Sequence, residues 1–580
     1  MNELEKFKIN FHGGDGRWNI SEEITNENIT VYSIDIAWEE NVEYVKIVWE
    51  IPMIDMPYIW SPLYGNYTAS LLPNWQYYQP TLISSGAPIV ILYNGKNISK
   101  YSWAISECSN LVLIKSGVVE ENGNISNVIK IPLAQYVNRN SLNFKLRIDK
   151  TECRLEQAVA AVTDWWENDI GLKPAYVPDD ARKPAYSFWY SYHQMLTDKI
   201  IEDECRRAKE LGFEVCIIDD GWQTDDVSRG YAFCGDWKVA ETKIPDMAEH
   251  VKKVHDMGMK YVIWFAVPLI GEKSEHFNEF KDMLYEGECG GAYVLDPRYK
   301  KVREFLIEVY KNALIKYDFD GFKLDFIDMW KYNENTSFNE KMDIPIISDA
   351  VDVLMTGIKD TLSGIKKDIM IEFRQSYVGP HIKKYGNMFR VADCPNDYIR
   401  NRRESLNLRL LMGEQPVHSD MLMWNKDEKP EMAALQIISI LFAVMQYSAK
   451  LDDLSESMFK MSKFWLGFMK EHSDTLLLGD LSVYEPYLNY TWAKTVKNNE
   501  CIATVYSSFK CIEPDNTENI YLANGCESDG VLCKLNGQYN VKIRNCYGEV
   551  VEKINICQEN QICVLDIPSG GIAELKRYNM

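Results

Sequence analysis

The period of the hydrophobic pattern changes along the chain, and the changes divide it into segments. From residue 1 to about 150, apolar side chains recur at every second position in short runs. Val42-Glu43-Tyr44-Val45-Lys46-Ile47-Val48-Trp49 sets Val45, Ile47 and Trp49 on one strand face, and residues 142–148 alternate in the same way. Asn94-Gly95 and Asn122-Gly123 mark hairpin turns. This pattern predicts an N-terminal β-sandwich. Residues 154–168 read as a helix, and with the Pro-containing stretch 173–184 they make a bridge over 151–184. From Ala185 strand and helix patterns alternate. Strands are expected near 186–191, 214–219, 260–266, 321–326, 369–374, 388–392, 416–420 and 446–451. Helices are expected over 198–211, 247–257, 302–317, 350–367, 403–412, 433–445 and 457–471. Eight strands alternating with helices predict a (β/α)₈ barrel over 185–478. Short strands and turns return over 479–580, a smaller C-terminal β domain. The predicted fold class is multidomain α/β: a central barrel between a β-sandwich and a small β domain.

The chain's chemistry centres on residues 318–328, Asp-Phe-Asp-Gly-Phe-Lys-Leu-Asp-Phe-Ile-Asp. Lys323 and Asp325 share one strand face; Phe322, Leu324 and Phe326 take the other. A barrel strand needs that arrangement, with helices covering the apolar face and charge gathered at its C-terminal end. The other strand ends are similar. The second closes on Asp219-Asp220-Gly221-Trp222, the third on Trp264-Phe265-Ala266-Val267-Pro268, the fifth on Glu372-Phe373-Arg374-Gln375. The sixth carries Arg390 and Asp393, and the seventh closes on His418 and Asp420. Trp264 at the barrel mouth suits a sugar platform; burial between helices is the alternative.

Composition narrows the partners. At 580 residues two to four domains are expected. Lys+Arg total 63 against 85 Asp+Glu, and a net charge of -22 argues against nucleic acid and anionic membranes. The N-terminus lacks an apolar signal core, and the run 437–445 is too short for a membrane span and reads as a buried helix. Seven of the 14 Cys fall within 501–563, a stretch without His. Reduced thiols filling strand cores are expected, hence a cytoplasmic protein. An aromatic stretch at 58–78 (Trp60, Tyr64, Tyr67, Trp75, Tyr77, Tyr78) either packs or stacks on sugar. There is no Gly-rich phosphate loop, Gly-x-Ser-x-Gly elbow or His-Glu-x-x-His motif. Carboxylates from different strands, aromatic platforms and hydroxyl acceptors point to glycoside hydrolysis.

These motifs resemble glycoside hydrolase family 36, the α-galactosidases. The resemblance lies in Ile218-Asp219-Asp220-Gly221-Trp222-Gln223, Gly235-Asp236-Trp237, Ile244-Pro245-Asp246-Met247 and His255-Asp256-Met257-Gly258-Met259-Lys260. It continues through Trp264-Phe265-Ala266-Val267-Pro268, Val294-Leu295-Asp296-Pro297, Val302-Arg303-Glu304-Phe305 and Gly321-Phe322-Lys323-Leu324-Asp325-Phe326. It covers about 185–425 and matches the domain order.

The resemblance implies that Asp325 is the nucleophile of a retaining α-galactosidase. Asp393 matches the acid/base, with Asp397 as competitor. Asp219, Asp220 and Lys323 match residues that hold sugar hydroxyls, Trp264 lines the same pocket, Arg390 sits beside the acid/base, and Trp75 resembles a Trp that closes the pocket. In that mechanism Lys323 keeps Asp325 ionised, and the surroundings of Asp393 raise its pKa so that it holds a proton at rest. No metal or organic cofactor is implied. The partners implied are an oligosaccharide or α-glycoside substrate, with neither nucleic acid nor membrane; a homo-oligomer stays open. One departure stands out. Where the family commonly has a Cys-containing Gly-rich turn near carbon 2 of the sugar, this chain has Glu372-Phe373-Arg374-Gln375-Ser376-Tyr377. That admits a C2-modified or charged galactose-like sugar, as in an α-N-acetylgalactosaminidase. A raffinose-synthase-like transglycosidase and a non-catalytic sugar-binding protein are the remaining alternatives.

Overall fold

A computed structural model describes residues 7–62, 70–334, 337–374 and 377–578; Tyr64 and Tyr67 of the aromatic stretch, and Gln375 and Ser376, lie outside these. The strands between Lys8–His12 and Cys153–Arg154 form two facing antiparallel sheets. Val45, Ile47 and Trp49 are buried on one face of the strand Tyr44–Pro52, as period two requires. The bridge begins with the helix Leu155–Asp164, which passes into a π-helical turn, Trp165–Asp169. That turn buries Trp165 and Trp166, and Trp166 Nε1 donates to the Ile105 carbonyl.

The barrel strands, here β1 to β8, are Ala185–Ser187, Val215–Ile218, Lys260–Ala266, Gly321–Asp325, Met370–Arg374, Met388–Arg390, Val417–His418 and Gln446–Tyr447. They are all parallel, in the ring order β7-β6-β5-β4-β3-β2-β1-β8. A parallel bridge, His418 to Val444, joins β7 to the approach of β8 and nearly closes the ring. The strands are short and buried on both faces, so they read as near-continuous apolar runs interrupted only where a polar group points inward.

Inward side chains form layers. The floor is apolar: Ala185, Val215, Ile217, Val262, Met370 and Met388, capped below by Ala181. Above it lie Lys323, Glu372, Arg390, His418 and Gln446, with Lys323 level with Glu372 and Trp264. Asp325 and Arg374 each stand two residues further along their strands, at the mouth. Helices cover the outside. The helix Asp198–Leu211 starts with Thr197 Oγ1 accepting from Ile200 N and ends at Gly212, whose φ of 116° suits the left-handed cap.

One helix differs from expectation. It runs Pro430–Ser439 rather than through 445, and the chain then turns inward to become β8. Residues 433–447 are buried throughout and mostly apolar, so the pattern could not say where helix ends and strand begins. The sandwich packs against the barrel: Trp60 Nε1 donates to Asn407 Oδ1 (2.9 Å), and Ser109 Oγ meets His381 Nε2 (2.9 Å). Residues 480–577 form the last sheet, where Cys501, Cys526 and Cys533 sit in the core. Among the described residues no helix is long and apolar enough to cross a membrane.

Candidate active site

β4 ends at Asp325, and three donors fix its carboxylate. Oδ1 accepts from Phe326 N (2.7 Å) and from Arg374 Nε; Oδ2 accepts from Trp264 Nε1 (3.0 Å). The group is 5% exposed. Charge-assisted bonds of this kind are short and directional, and they fix the orientation of the carboxylate. The expected partner, Lys323, is not the one observed: Lys323 Nζ binds Asp219 Oδ2 at 2.5 Å. Lys323 lies one layer below Asp325, level with Glu372, whereas Arg374 stands level with Asp325. Trp264 also differs from expectation. Its ring is 1% exposed, enclosed by Tyr231, Trp237 and Phe326, so it serves Asp325 as a donor and offers no open sugar platform.

Phe326 does not continue the outer face of β4. The strand stops at Asp325 and Phe326 takes φ 65°, a left-handed conformation rare outside glycine. Its ring thereby lies 5.4 Å from the Arg374 guanidinium and edge-on to Tyr231.

Arg390, at the end of β6, is the second centre. Nη1 donates to Asp420 Oδ1 (2.6 Å) and Nη2 to Asp393 Oδ1 (2.9 Å), while Nε stands 3.8 Å from Glu372 Oε1. Asp420 also accepts from Cys394 N (2.7 Å) and from the Tyr190 hydroxyl (3.0 Å), which fixes the loop that carries Asp393. Burial raises the Asp420 pKa to about 6 against the pull of Arg390. Glu372 is fully buried; it accepts from Gln446 Nε2 (2.5 Å), and burial raises its pKa. Its described partners do not include Arg374. The two share a strand face, but Glu372 points into the layer below.

Asp393 is open to solvent, its side chain 42% exposed, with Arg374 Nη1 3.9 Å from its Oδ2. Its pKa is the reverse of expectation. Partial burial pushes it up, but Arg390, Arg374 and Lys323 outweigh that and hold it at about 2. Asp397 is placed differently. It is the N-cap of the helix Tyr398–Met412, its Oδ1 accepting from Arg400 N (3.0 Å), and no described contact joins it to Arg374 or Arg390. Asp397→Ala should therefore cost about 1 kcal/mol of stability, as cap removal does, while kcat/KM stays within a few-fold of wild type. Thermal denaturation and steady-state kinetics on one preparation check this.

At the end of β2, Asp219 Oδ1 accepts from Asp220 N (3.0 Å), and Asp220 accepts from Gln194 Nε2 (2.6 Å) and Gln223 Nε2 (2.7 Å). Burial raises the Asp220 pKa to about 6. Gly221 has φ 111°, and a Cβ there would lie 2.5 Å from Gln194 Cα. Glycine is thus required for the tight turn that presents both carboxylates. Trp75 is 67% exposed on a sandwich loop, and no described contact ties it to this cluster. Sequence reading missed Tyr190, Gln194, Tyr231 and Gln446. The first two follow β1 in the aromatic-polar run Ser187-Phe188-Trp189-Tyr190-Ser191-Tyr192-His193-Gln194, a signal present but not read. Among the described residues no group of His, Cys, Asp or Glu is disposed to hold a metal ion.

The arrangement places two carboxyl groups, from the ends of the strands that flank β5, on either side of Arg374. One is buried and fixed by donors; the other faces solvent. Comparisons with known proteins agree in fold. Residues 187–368 match the melibiase family model. The chain is 29% identical over 177 residues to the α-galactosidase Mel36A of Lactobacillus acidophilus, covering 29% of this chain and 23% of that protein. It is 35% identical over 157 residues to the bifunctional α-galactosidase/sucrose kinase AgaSK of Mediterraneibacter gnavus, covering 25% and 16%. The chain thus aligns with less than a quarter of either relative's length. The crystal structure of the family 36 α-galactosidase AgaA of Geobacillus stearothermophilus with raffinose superposes with a TM-score of 0.64 at 12% identity, covering 100% of this chain and 84% of that one. That of the Lactobacillus brevis α-galactosidase gives 0.65 at 12%, covering 99% and 86%.

Proposed function

We propose that this chain, which is similar to the family 36 α-galactosidases in sequence over part of its barrel and in overall fold, is a retaining, exo-acting α-glycosidase that releases terminal α-linked galactose-like sugars from oligosaccharides or α-glycosides. The observation that carries the proposal is the pairing across Arg374: Asp325, fixed by three donors, and Asp393, open to solvent on the other side.

Asp325 attacks the anomeric carbon as the glycosidic C–O bond breaks, and Asp393 gives its proton to the leaving oxygen. A covalent glycosyl–enzyme forms. Asp393 then takes a proton from water, the water oxygen bonds to the anomeric carbon, and the bond to Asp325 breaks. Two inversions give net retention. Trp264 Nε1, Phe326 N and Arg374 Nε aim the Asp325 oxygens, which supplies positioning. Asp219, Asp220 and Lys323 hold hydroxyls, and Asp420 and Glu372 hold Arg390 in place.

The low pKa of Asp393 has a consequence for the acid step. The ligand-free protein holds this carboxylate ionised. A sugar seated between the two carboxyl groups separates Arg374 from Asp393 and removes water from it, and both changes raise the pKa. Substrate binding therefore takes up a proton, and affinity rises as pH falls. The cytoplasmic setting stays part of the proposal, supported by fourteen thiols without a disulfide between them.

Proton NMR of a reaction on an aryl α-galactoside tests the stereochemistry. The α-anomer of the free sugar should appear first and mutarotate later; a first-formed β-anomer contradicts the proposal. No turnover on any aryl α-glycoside leaves a sugar-binding protein. A second reading of the glycone is favoured by Arg374 itself.

A further inference from the structure

We infer that Arg374, backed by the ring of Phe326, selects the glycone by donating to an uncharged acceptor on the sugar carbon next to the anomeric carbon, an acetamido carbonyl being the group of that chemistry. The inference rests on the retaining reading above, because the two carboxyl groups locate the anomeric carbon. In a retaining glycosidase that carbon lies between carboxyl groups about 5–5.5 Å apart. Arg374 reaches toward both: Nε is bonded to Asp325 Oδ1, and Nη1 is 3.9 Å from Asp393 Oδ2. It therefore stands beside the anomeric carbon. The leaving oxygen belongs to Asp393. The ring oxygen gains positive charge in the oxocarbenium-like transition state, so a guanidinium against it would raise the barrier. The neighbouring carbon and its substituent remain.

The nature of the substituent follows from its surroundings. A guanidinium only donates, so its complement is an acceptor. Hydroxyls both give and take, and the carboxylates Asp219 and Asp220 are suited to them. An anionic substituent is disfavoured by charge. Asp219, Asp220, Asp325, Asp393 and Asp420 already outnumber Lys323, Arg374 and Arg390, and each of these cations already faces an anion. A carbonyl takes the same donors without that repulsion.

The apolar neighbour completes the match. Continuing as strand, Phe326 would join Phe322 and Leu324 on the outer face. It adopts φ 65° instead, a conformation disfavoured in a non-glycine residue, and its half-buried ring comes to lie 5.4 Å from the guanidinium. Strain of this kind next to a reacting group marks a functional constraint. A donor fork beside a ring face fits a carbonyl and a methyl carried on one small group.

The test measures kcat/KM of wild type, Arg374→Lys, Arg374→Ala and Phe326→Gly on 4-nitrophenyl α-galactoside, its 2-acetamido-2-deoxy counterpart and the α-galacturonide. Wild type should favour the acetamido sugar. Arg374→Lys keeps a cation beside Asp325 but loses the planar fork. It should lower the acetamido-to-galactoside ratio by about tenfold or more, because a lost polar match is read as selectivity. Phe326→Gly tolerates the same backbone conformation and should lower that ratio several-fold. If both rates fall together at a constant ratio in Arg374→Lys, Arg374 serves Asp325 alone and the inference is wrong. Preference for the galacturonide also overturns it. Turnover of the plain galactoside alone leaves the retaining reading standing and removes this inference; no turnover of any substrate removes both.

Discussion

Asp325→Ala should lower turnover of an α-galactoside by about four to six orders of magnitude, the loss expected when a covalent nucleophile is removed. No neighbour can replace it. Asp219 is paired with Lys323 in the layer below, and Asp393 lies on the far side of Arg374. The substitution also strips Arg374, Trp264 Nε1 and Phe326 N of their acceptor, and a nearly buried guanidinium without its anion destabilises the protein. Some loss of thermal stability is therefore expected, with the circular dichroism spectrum unchanged. Asp325→Asn keeps the volume and an acceptor, and should show the same kinetic loss with a smaller stability change. Azide distinguishes a lost nucleophile from a damaged site. It fits the space in Asp325→Ala, restores the negative charge beside Arg374 and attacks the anomeric carbon directly. Rate should recover in part, with a β-glycosyl azide as product. Activity above a few per cent of wild type without azide would end the assignment.

Asp393→Ala should divide substrates by leaving group. Leaving oxygens of high pKa need the proton and should lose about 10²- to 10⁴-fold, the usual contribution of general acid catalysis. Dinitrophenolate needs none, so bond cleavage on that substrate should change by less than tenfold. The pH dependence carries a sign. Arg390 and Arg374 hold Asp393 at about 2 in the ligand-free protein, and the seated sugar raises it. The alkaline limb of kcat, which reports the complex, should therefore lie at higher pH than the limb of kcat/KM, which reports the free protein. Asp393→Ala should lack the kcat limb. The same pattern in Asp397→Ala, with Asp393→Ala unaffected, would move the acid to the helix cap.

The barrel was legible because each strand sets apolar residues between turns and leaves its polar positions at the end, where Lys323, Asp325, Glu372 and Arg374 show by parity that they point inward. Which cation meets which carboxylate was not legible. That depends on the stagger between strands, which sets Lys323 level with Glu372 and Trp264 and leaves Asp325 to Arg374. Phe326 misled because its alternation runs on past the end of β4, and nothing local marks a phenylalanine for a left-handed turn. Trp264 was visible as a mouth residue, but its burial depends on Tyr231 and Trp237, which come from a distant loop. The pKa of Asp393 was expected to be raised because the acid step requires a proton there; with two arginines and Lys323 in place the sign reverses. Asp393 and Asp397 look alike in sequence, and only the start of a helix at Tyr398 makes one a cap.

The mass of Asp393→Ala after incubation with 2,4-dinitrophenyl α-galactoside tests the central claim most directly. Cleavage there needs no acid, while hydrolysis of the intermediate lacks its base, so the glycosyl–enzyme should accumulate. Intact protein should gain one glycosyl residue, and proteolysis should place it on the peptide that carries Asp325. A glycosyl group on any other carboxylate, or steady turnover without an adduct and with the β-sugar formed first, contradicts the account.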